Sequence, residues 1–261
     1  MSWASRRRTK YLTAVILFFI VVVGGPIAYT ILSIEPTCFD GKQNQGETVP
    51  DKSGPCSILD ERYITPYAVM WARSFEVRSG SYTAVGYIGN PDPEAGVALA
   101  HYRFGLYDSQ NILIAERVGA TFIMPGGITP VLEGGIDTGN REVVHTYLEI
   151  TDAHLVWERM TNPAANIKIS NQHISESPVG PRIDARATNV GLDTVRNILF
   201  IATVFDPAGN AFAASGTALP DLAPDGSTEI AFNWPLPFVA SVGRIDIIPL
   251  LRPEEAPLSA Q

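Results

Sequence analysis

The chain is poor in cysteine, histidine and lysine, and each shortage removes a class of chemistry. Its two cysteines, Cys38 and Cys56, form no CxxC pair and have no histidine nearby, so a structural zinc site lacks its ligand set. The four histidines, His101, His145, His154 and His173, are scattered without HxxxH or HExxH spacing. They read as exposed or hydrogen-bonded side chains, with His101 on the outer face of a strand. No Gly-x-Ser-x-Gly elbow occurs, and Ala214-Ser215-Gly216 reads as a turn. Gly86-Tyr87-Ile88-Gly89 lacks the Gly-Lys-Ser/Thr of a phosphate loop and reads as a strand end. There is no Asn-x-Ser/Thr sequon. Acidic residues are plentiful, but sequence alone pairs none of them at glycosidase separation.

Charge is also one-sided. The formal net charge is −8, and the first 34 residues carry four bases and no acid, which leaves about −12 on the remainder. Such a surface repels a phosphate backbone, so nucleic acid is excluded as a partner. No cofactor is called for.

What the chain does have is one long apolar run, Tyr11 to Ile34. About 20 apolar residues span a bilayer core as a helix. Arg6, Arg7, Arg8 and Lys10 precede the run and Glu35 follows it. Cationic flanks stay on the cytoplasmic side. This predicts a cytoplasmic basic segment over 1–10 and a membrane anchor over 11–34, with the rest outside the cytoplasm. The run is too long for a signal h-region, and no Ala-x-Ala follows Gly24-Gly25-Pro26, which favours an uncleaved anchor over a cleaved signal. Glu35 and Pro36 before Cys38 argue against a lipidated cysteine.

In an exported chain an even pair of cysteines reads as a disulfide, here Cys38–Cys56. The surrounding stretch, 35–65, is polar and turn-rich and reads as a stalk. Asp40, Asn44, Glu47 and Asp51 offer oxygen ligands for calcium, but their spacing is not that of an EF-hand.

The remainder is rich in short Val, Ile, Thr and aromatic runs, with Gly and Pro making up about a sixth of the chain, a β-rich profile. Tyr102, Phe104 and Leu106 alternate with His101, Arg103 and Tyr107 and end at Asp108; Phe200, Ala202 and Val204 alternate likewise and end at Asp206. Period two makes these strands, because a helix would scatter the apolar set around its axis. The resemblance between halves extends from Gly89-Asn90-Pro91 and Asn189-Val190-Gly191 to Leu148-Glu149-Ile150 and Ile245-Asp246-Ile247, at an offset near 98 residues. The expected fold is all-β: an N-terminal transmembrane helix, a short stalk, then two tandem immunoglobulin-like β-sandwich domains at 66–159 and 160–252. Thr161 to Ala165 is a short linker, which predicts a fixed, elongated tandem, and 253–261 reads as a disordered tail. Trp71, Trp157 and Trp234 are expected in the core or between modules rather than on a glycan site.

Val69 to Val77, Tyr82 to Pro91 and Tyr102-Arg103-Phe104-Gly105-Leu106-Tyr107-Asp108 together resemble bacterial single-pass, membrane-anchored proteins with FxLYD-type, immunoglobulin-like modules. The stalk is similar to a secreted-protein motif matched at Cys38, Asp40, Gly41, Asn44, Glu47, Thr48, Asp51, Gly54 and Cys56. Lys52 stands where that motif has its middle cysteine, and this loss leaves an even pair, strengthening the Cys38–Cys56 pairing. The resemblance implies architecture and no activity.

Three functions compete. The first is a non-enzymatic membrane-anchored protein presenting its modules to a protein or glycan partner, or serving as an envelope scaffold. The second is an accessory subunit of an export or pilus-type machine. The third is an envelope hydrolase using carboxylates at the module junction.

Overall fold

The computed structural model describes residues 3–32, 37–177 and 180–256. The outer ends of the expected basic segment (1–2), anchor (33–34), stalk (35–36) and tail (257–261) lie outside the described residues. The described chain divides into two compact units, Met1–Pro55 and Cys56–Gln261.

The first unit begins with α1 (Trp3–Phe19), continues through a π-helical turn (Ile20–Gly24) and α2 (Gly25–Leu32), and includes the turn-rich stretch 37–55. Within this helical stretch Lys10–Ile27 has a mean hydropathy of 2.1 and none of it is buried, so by length and composition it can cross a bilayer. The wide turn has a local cause. Pro26 has no N–H to donate, and Gly25 N–H bonds back to the carbonyls of both Ile20 and Val21 as the ladder is rearranged ahead of it.

The second unit is all antiparallel β. Its first half contains β1 (Ala68–Arg78), β2 (Ser81–Asn90), β3 (Ala95–Tyr107), β4 (Leu113–Ile123), β5 (Gly127–Asp137), β6 (His145–Ile150) and β7 (Glu158–Thr161). Its second half contains β8 (Ile167–Ser177), β9 (Gly180–Asn189), β10 (Val195–Phe205), β11 (Ala211–Leu222), β12 (Ser227–Asn233), β13 (Arg244–Leu250) and the two-residue β14 (Glu254–Glu255). In the first half a sheet of order β1-β2-β5 faces a sheet built on β3, which pairs with β4, β6 and β7. In the second half β12-β9-β8 faces β11-β10-β13.

The alternation read from β3 holds. Tyr102, Phe104 and Leu106 are buried, with Phe104 and Leu106 fully so, and they meet Ala84 and Ile88 of β2 and Val131 and Ile136 of β5 in one core. His101 and Arg103 face out, and Arg103 is held between Glu149 and Glu116 of the flanking strands at 2.5 and 3.2 Å.

The internal repeat is preserved in single hydrogen bonds. Asn90, at the end of β2, is buried and donates through Nδ2 to the carbonyls of Ala95 (2.7 Å) and Met124 (2.9 Å). Asn189, at the end of β9, donates in the same way to Asp193 (2.8 Å) and Leu222 (3.0 Å). Asp108 and Asp206 close equivalent turns: the Asp108 carboxylate accepts from Ile112 N–H at 3.0 Å, and that of Asp206 from Asn210 N–H at 2.8 Å. Each carboxyl is held below its usual range chiefly by that backbone N–H.

Three expectations are revised. The halves do not form an elongated tandem. Val85 and Tyr87 of β2 share a buried cluster with Ile201 and Phe205 of β10, and Trp71 and Leu132 pack against it. Trp71 lies 4.4 Å from the Tyr87 ring and 5.9 Å from Phe205. The sheet β1-β2-β5 is therefore covered on both faces and stacks on β11-β10-β13. The reason is compositional: Tyr82 to Ile88 and Ile198 to Phe205 are apolar at nearly every position, the mark of a strand buried on both faces. The expected tail also starts as structure, since Glu254 and Glu255 pair with Thr161 and Met160 of β7. Finally, the end of the expected stalk belongs to the sandwich body. Leu59 N–H donates to the Trp157 carbonyl at 2.8 Å, and Arg159 N–H to that of Ser57 at 2.7 Å.

Burial at the stacked face pushes the Tyr87 phenol up to about 12, with Asp246 adding to the rise and Thr203 and Arg244 opposing it. Below pH 10 both folded and unfolded chains carry the neutral phenol. Between about pH 10 and 12 the unfolded chain loses this proton first, so stability falls as pH rises, by about 2–3 kcal/mol in full. Tyr87→Phe is expected to make the alkaline limb of the stability curve shallower by one proton, measured by urea unfolding across that window. An unchanged slope would place the phenol in water.

Candidate functional site

Loops and edges, rather than strand interiors, carry the candidate site. After β12 the chain runs Trp234-Pro235-Leu236-Pro237-Phe238-Val239. Trp234 is buried and donates Nε1–H to the Ala214 carbonyl at 3.2 Å. Phe238 stacks edge-on against Trp234 (5.2 Å) and Phe212 (5.4 Å). Two prolines stiffen the segment between these anchors. Leu236 is left 49% exposed and Val239 87% exposed.

This loop forms one wall of a groove of about 710 Å³. The other walls are Ala72–Glu76 of β1, the stretch Val143–Tyr147 leading into β6, and Ala211 and Phe212 of β11. Five consecutive residues of β1 and five ending in β6 line it, so both strands present their edges rather than alternate side chains. Val144 and Tyr147 add exposed apolar surface to the rim. Four of the polar side chains lining it, those of Arg73, Ser74, Glu76 and Thr146, have partners. Arg73 donates to Asn210 Oδ1 at 3.0 Å and to the Ala211 carbonyl at 3.3 Å. The Ser74 and Thr146 hydroxyls lie 2.8 Å apart, and Glu76 accepts from Gly80 N–H at 3.0 Å. Glu76 is the one carboxylate among the described lining residues.

The chain enters the sandwich body where Ser57 to Leu59 run beside Trp157 to Arg159.

Cys38 and Cys56 are joined in a disulfide. Inside the loop they close, the three carboxylates among the four candidate calcium ligands accept hydrogen bonds from N–H groups. Asp51 accepts from Asp40 N–H and Gly41 N–H, each at 3.0 Å. Asp40 accepts from Lys42 N–H (2.8 Å) and Asn44 Nδ2 (2.9 Å), and Lys42 N–H is the main cause of its lowered pKa. The buried Glu47 accepts from Asn44 N–H (3.1 Å) and Asp51 N–H (3.2 Å). Carboxylates aimed at N–H groups pin a loop. Asn44 Oδ1 is buried without a protein partner among the described residues.

Cys38→Ser/Cys56→Ser is expected to free this loop. The chain-entropy contribution of a loop this long is about 3 kcal/mol. Hydrogen exchange should lose protection at the amides of 40–52 while the β2 and β10 amides keep theirs. Equal loss in both would mean that the disulfide supports the sandwich body as well.

Of the tryptophans, Trp157 and Trp234 are buried and Trp71 is partly buried at the stacked face. Arg6, Arg7, Arg8 and Lys10 lie on α1. The 234–239 loop was missed from sequence because two prolines break its periodicity; Leu236 and Val239 set between them were the available signal.

No family model matches the chain, and no curated protein matches it. Among solved structures, red sea bream transglutaminase is similar at 10% identity with a TM-score of 0.22, over 72% of this chain and 30% of that one. The chain thus spans under a third of that protein's length, and a likeness this faint carries no argument.

Proposed function

We propose that the chain is a non-enzymatic, membrane-anchored protein whose sandwich body binds a partner protein through the groove beside Leu236 and Val239. The observation that carries this reading is the rim itself: exposed apolar side chains held on a stiff, anchored loop. A preorganised rim loses little conformational freedom on binding. Aliphatic side chains suit a protein partner better than a glycan. An accessory subunit of an envelope machine is a narrower form of the same reading. A two-carboxylate hydrolase is less well supported, because Glu76 is alone in the lining and already accepts a hydrogen bond.

Four bases ahead of the apolar helix favour a cytoplasmic N-terminus, and the disulfide favours an oxidising compartment for the rest. Kinship with bacterial FxLYD-type modules stands on the quoted sequence runs.

The test is crosslinking in membranes of cells producing the intact chain, beside Leu236→Asp/Val239→Asp. The variant should keep its melting temperature and lose the crosslinked protein that the parent retains. If parent and variant retain the same proteins, the groove is not the binding surface. A product lost on glycosidase treatment would assign the surface to a glycan.

A further inference from the structure

The groove beside Leu236 and Val239 is one part of a longer trough. Past Glu76 it continues into a slot lined by Phe75, Phe212, Trp234 and Phe238, and then into a second groove of about 440 Å³ that reaches Arg78. β1 borders this trough from Ala72 to Arg78. β1 is also the edge of its sheet, paired with β2 on one side only. Every second residue of such a strand turns its backbone N–H and C=O away from the sheet. Along 72–78 those outward groups have no backbone partner among the described residues. The facing strand, β11, is less open, since Arg73 takes the Ala211 carbonyl and Trp234 Nε1–H takes that of Ala214. The register of β1 with β2 is regular from Trp71 to Glu76, with a shift on either side. That stretch is about 20 Å long, the span of a strand of about six residues.

Charge along the trough is unbalanced. Glu76, the one carboxylate lining it among the described residues, accepts from Gly80 N–H. Arg73 is held by Asn210 and Ala211. Arg78 is exposed and has neither an ion pair nor a side-chain hydrogen bond among the described residues. We propose that the partner protein assigned to the groove above enters the trough as an extended segment added antiparallel to β1, with an acidic side chain near its N-terminal end beside Arg78; this rests on that assignment. An open strand edge supplies main-chain hydrogen bonds to any extended chain, and pockets for alternate side chains supply selectivity. The aromatic slot is such a pocket. Antiparallel pairing is the more stable kind, and because β1 runs toward Arg78, an antiparallel segment begins there.

The test uses the full chain in detergent and random eight-residue peptides displayed on phage, selected in parallel on the parent and on Arg78→Glu. The parent should enrich peptides with an acidic residue near the N-terminal end and apolar residues at every second position after it. Arg78→Glu should enrich Lys or Arg at that place and bind the parent's peptides about fivefold or more weakly. In the free chain every second amide between 72 and 76 should exchange fast, and with peptide bound those amides should slow, the pattern of a new ladder. No slowing at them would overturn strand addition. The same peptides from both selections would overturn the role of Arg78, and recovery of no peptide would overturn the proposal whole. If the selections fail while Leu236→Asp/Val239→Asp still loses the crosslinked protein, the groove binds a folded surface. If both fail, the groove is not the binding surface.

Discussion

Phe104→Ala is expected to lower the stability of the sandwich body by about 3–5 kcal/mol, the range for a buried phenylalanine cut to alanine. Phe104 is fully buried midway along β3, opposite Arg117 of β4 and Leu148 of β6, with the Tyr102 ring 5.8 Å away. Its neighbours across the sandwich, Ala84 and Ile88 of β2 and Val131 of β5, belong to a sheet clamped from its other side by the second half. A layer held on both faces has little room to collapse into the space the ring leaves, which places the cost toward the top of the range. Urea unfolding should show a lower midpoint at an unchanged slope. Arg103→Ala, one residue away on the outer face, is the control. Its pairs with Glu149 and Glu116 are exposed and contribute under about 1 kcal/mol. If Phe104→Ala costs less than about 1 kcal/mol, the register of β3 is shifted by one.

These two neighbours also show what the sequence makes legible. Period-two alternation needs only the local chain, so the side of β3 that holds Phe104 can be read directly. The offset repeat is legible for the same reason, as are the pairing of the only two cysteines and the apolar helix. What alternation cannot report is a second buried face. Phe200, Ala202 and Val204 read as the inward set of β10, which leaves Ile201, Thr203 and Phe205 apparently facing water. Their partners, Val85 and Tyr87, lie more than a hundred residues earlier, and no local pattern pairs them. The unbroken apolar character of both strands was the available signal. Asn90 and Asn189 were legible as turn residues, but not as buried ties between strands, because that role depends on carbonyls supplied by Met124 and Leu222. The groove combines four segments distant in sequence and was not legible at all.

The second buried face leads to the other large expected effect. Separating the halves at the linker should give two fragments that do not fold alone. Fragment 56–161 would expose Val85, Tyr87, Trp71 and Leu132, and fragment 162–256 would expose Ile201, Phe205 and their neighbours on β11 and β13. Burying one large apolar side chain contributes about 1.5–3 kcal/mol, so losing several costs each fragment about 5 kcal/mol or more. That is comparable to the whole stability of a domain of this size. The cut also parts β14 from β7, removing the edge strand that Glu254 and Glu255 add to the sheet of the first half. Each fragment alone is expected to aggregate or melt without a cooperative transition, while the two co-expressed should recover a soluble complex with one transition. If each melts cooperatively near the temperature of the parent, the stacked face adds little and the halves are independent modules. A single cooperative unit would instead make the stacked pair, rather than either sandwich, the smallest piece of this chain that can present the groove, because the groove takes one wall from β1 and β6 and another from β11 and the 234–239 loop.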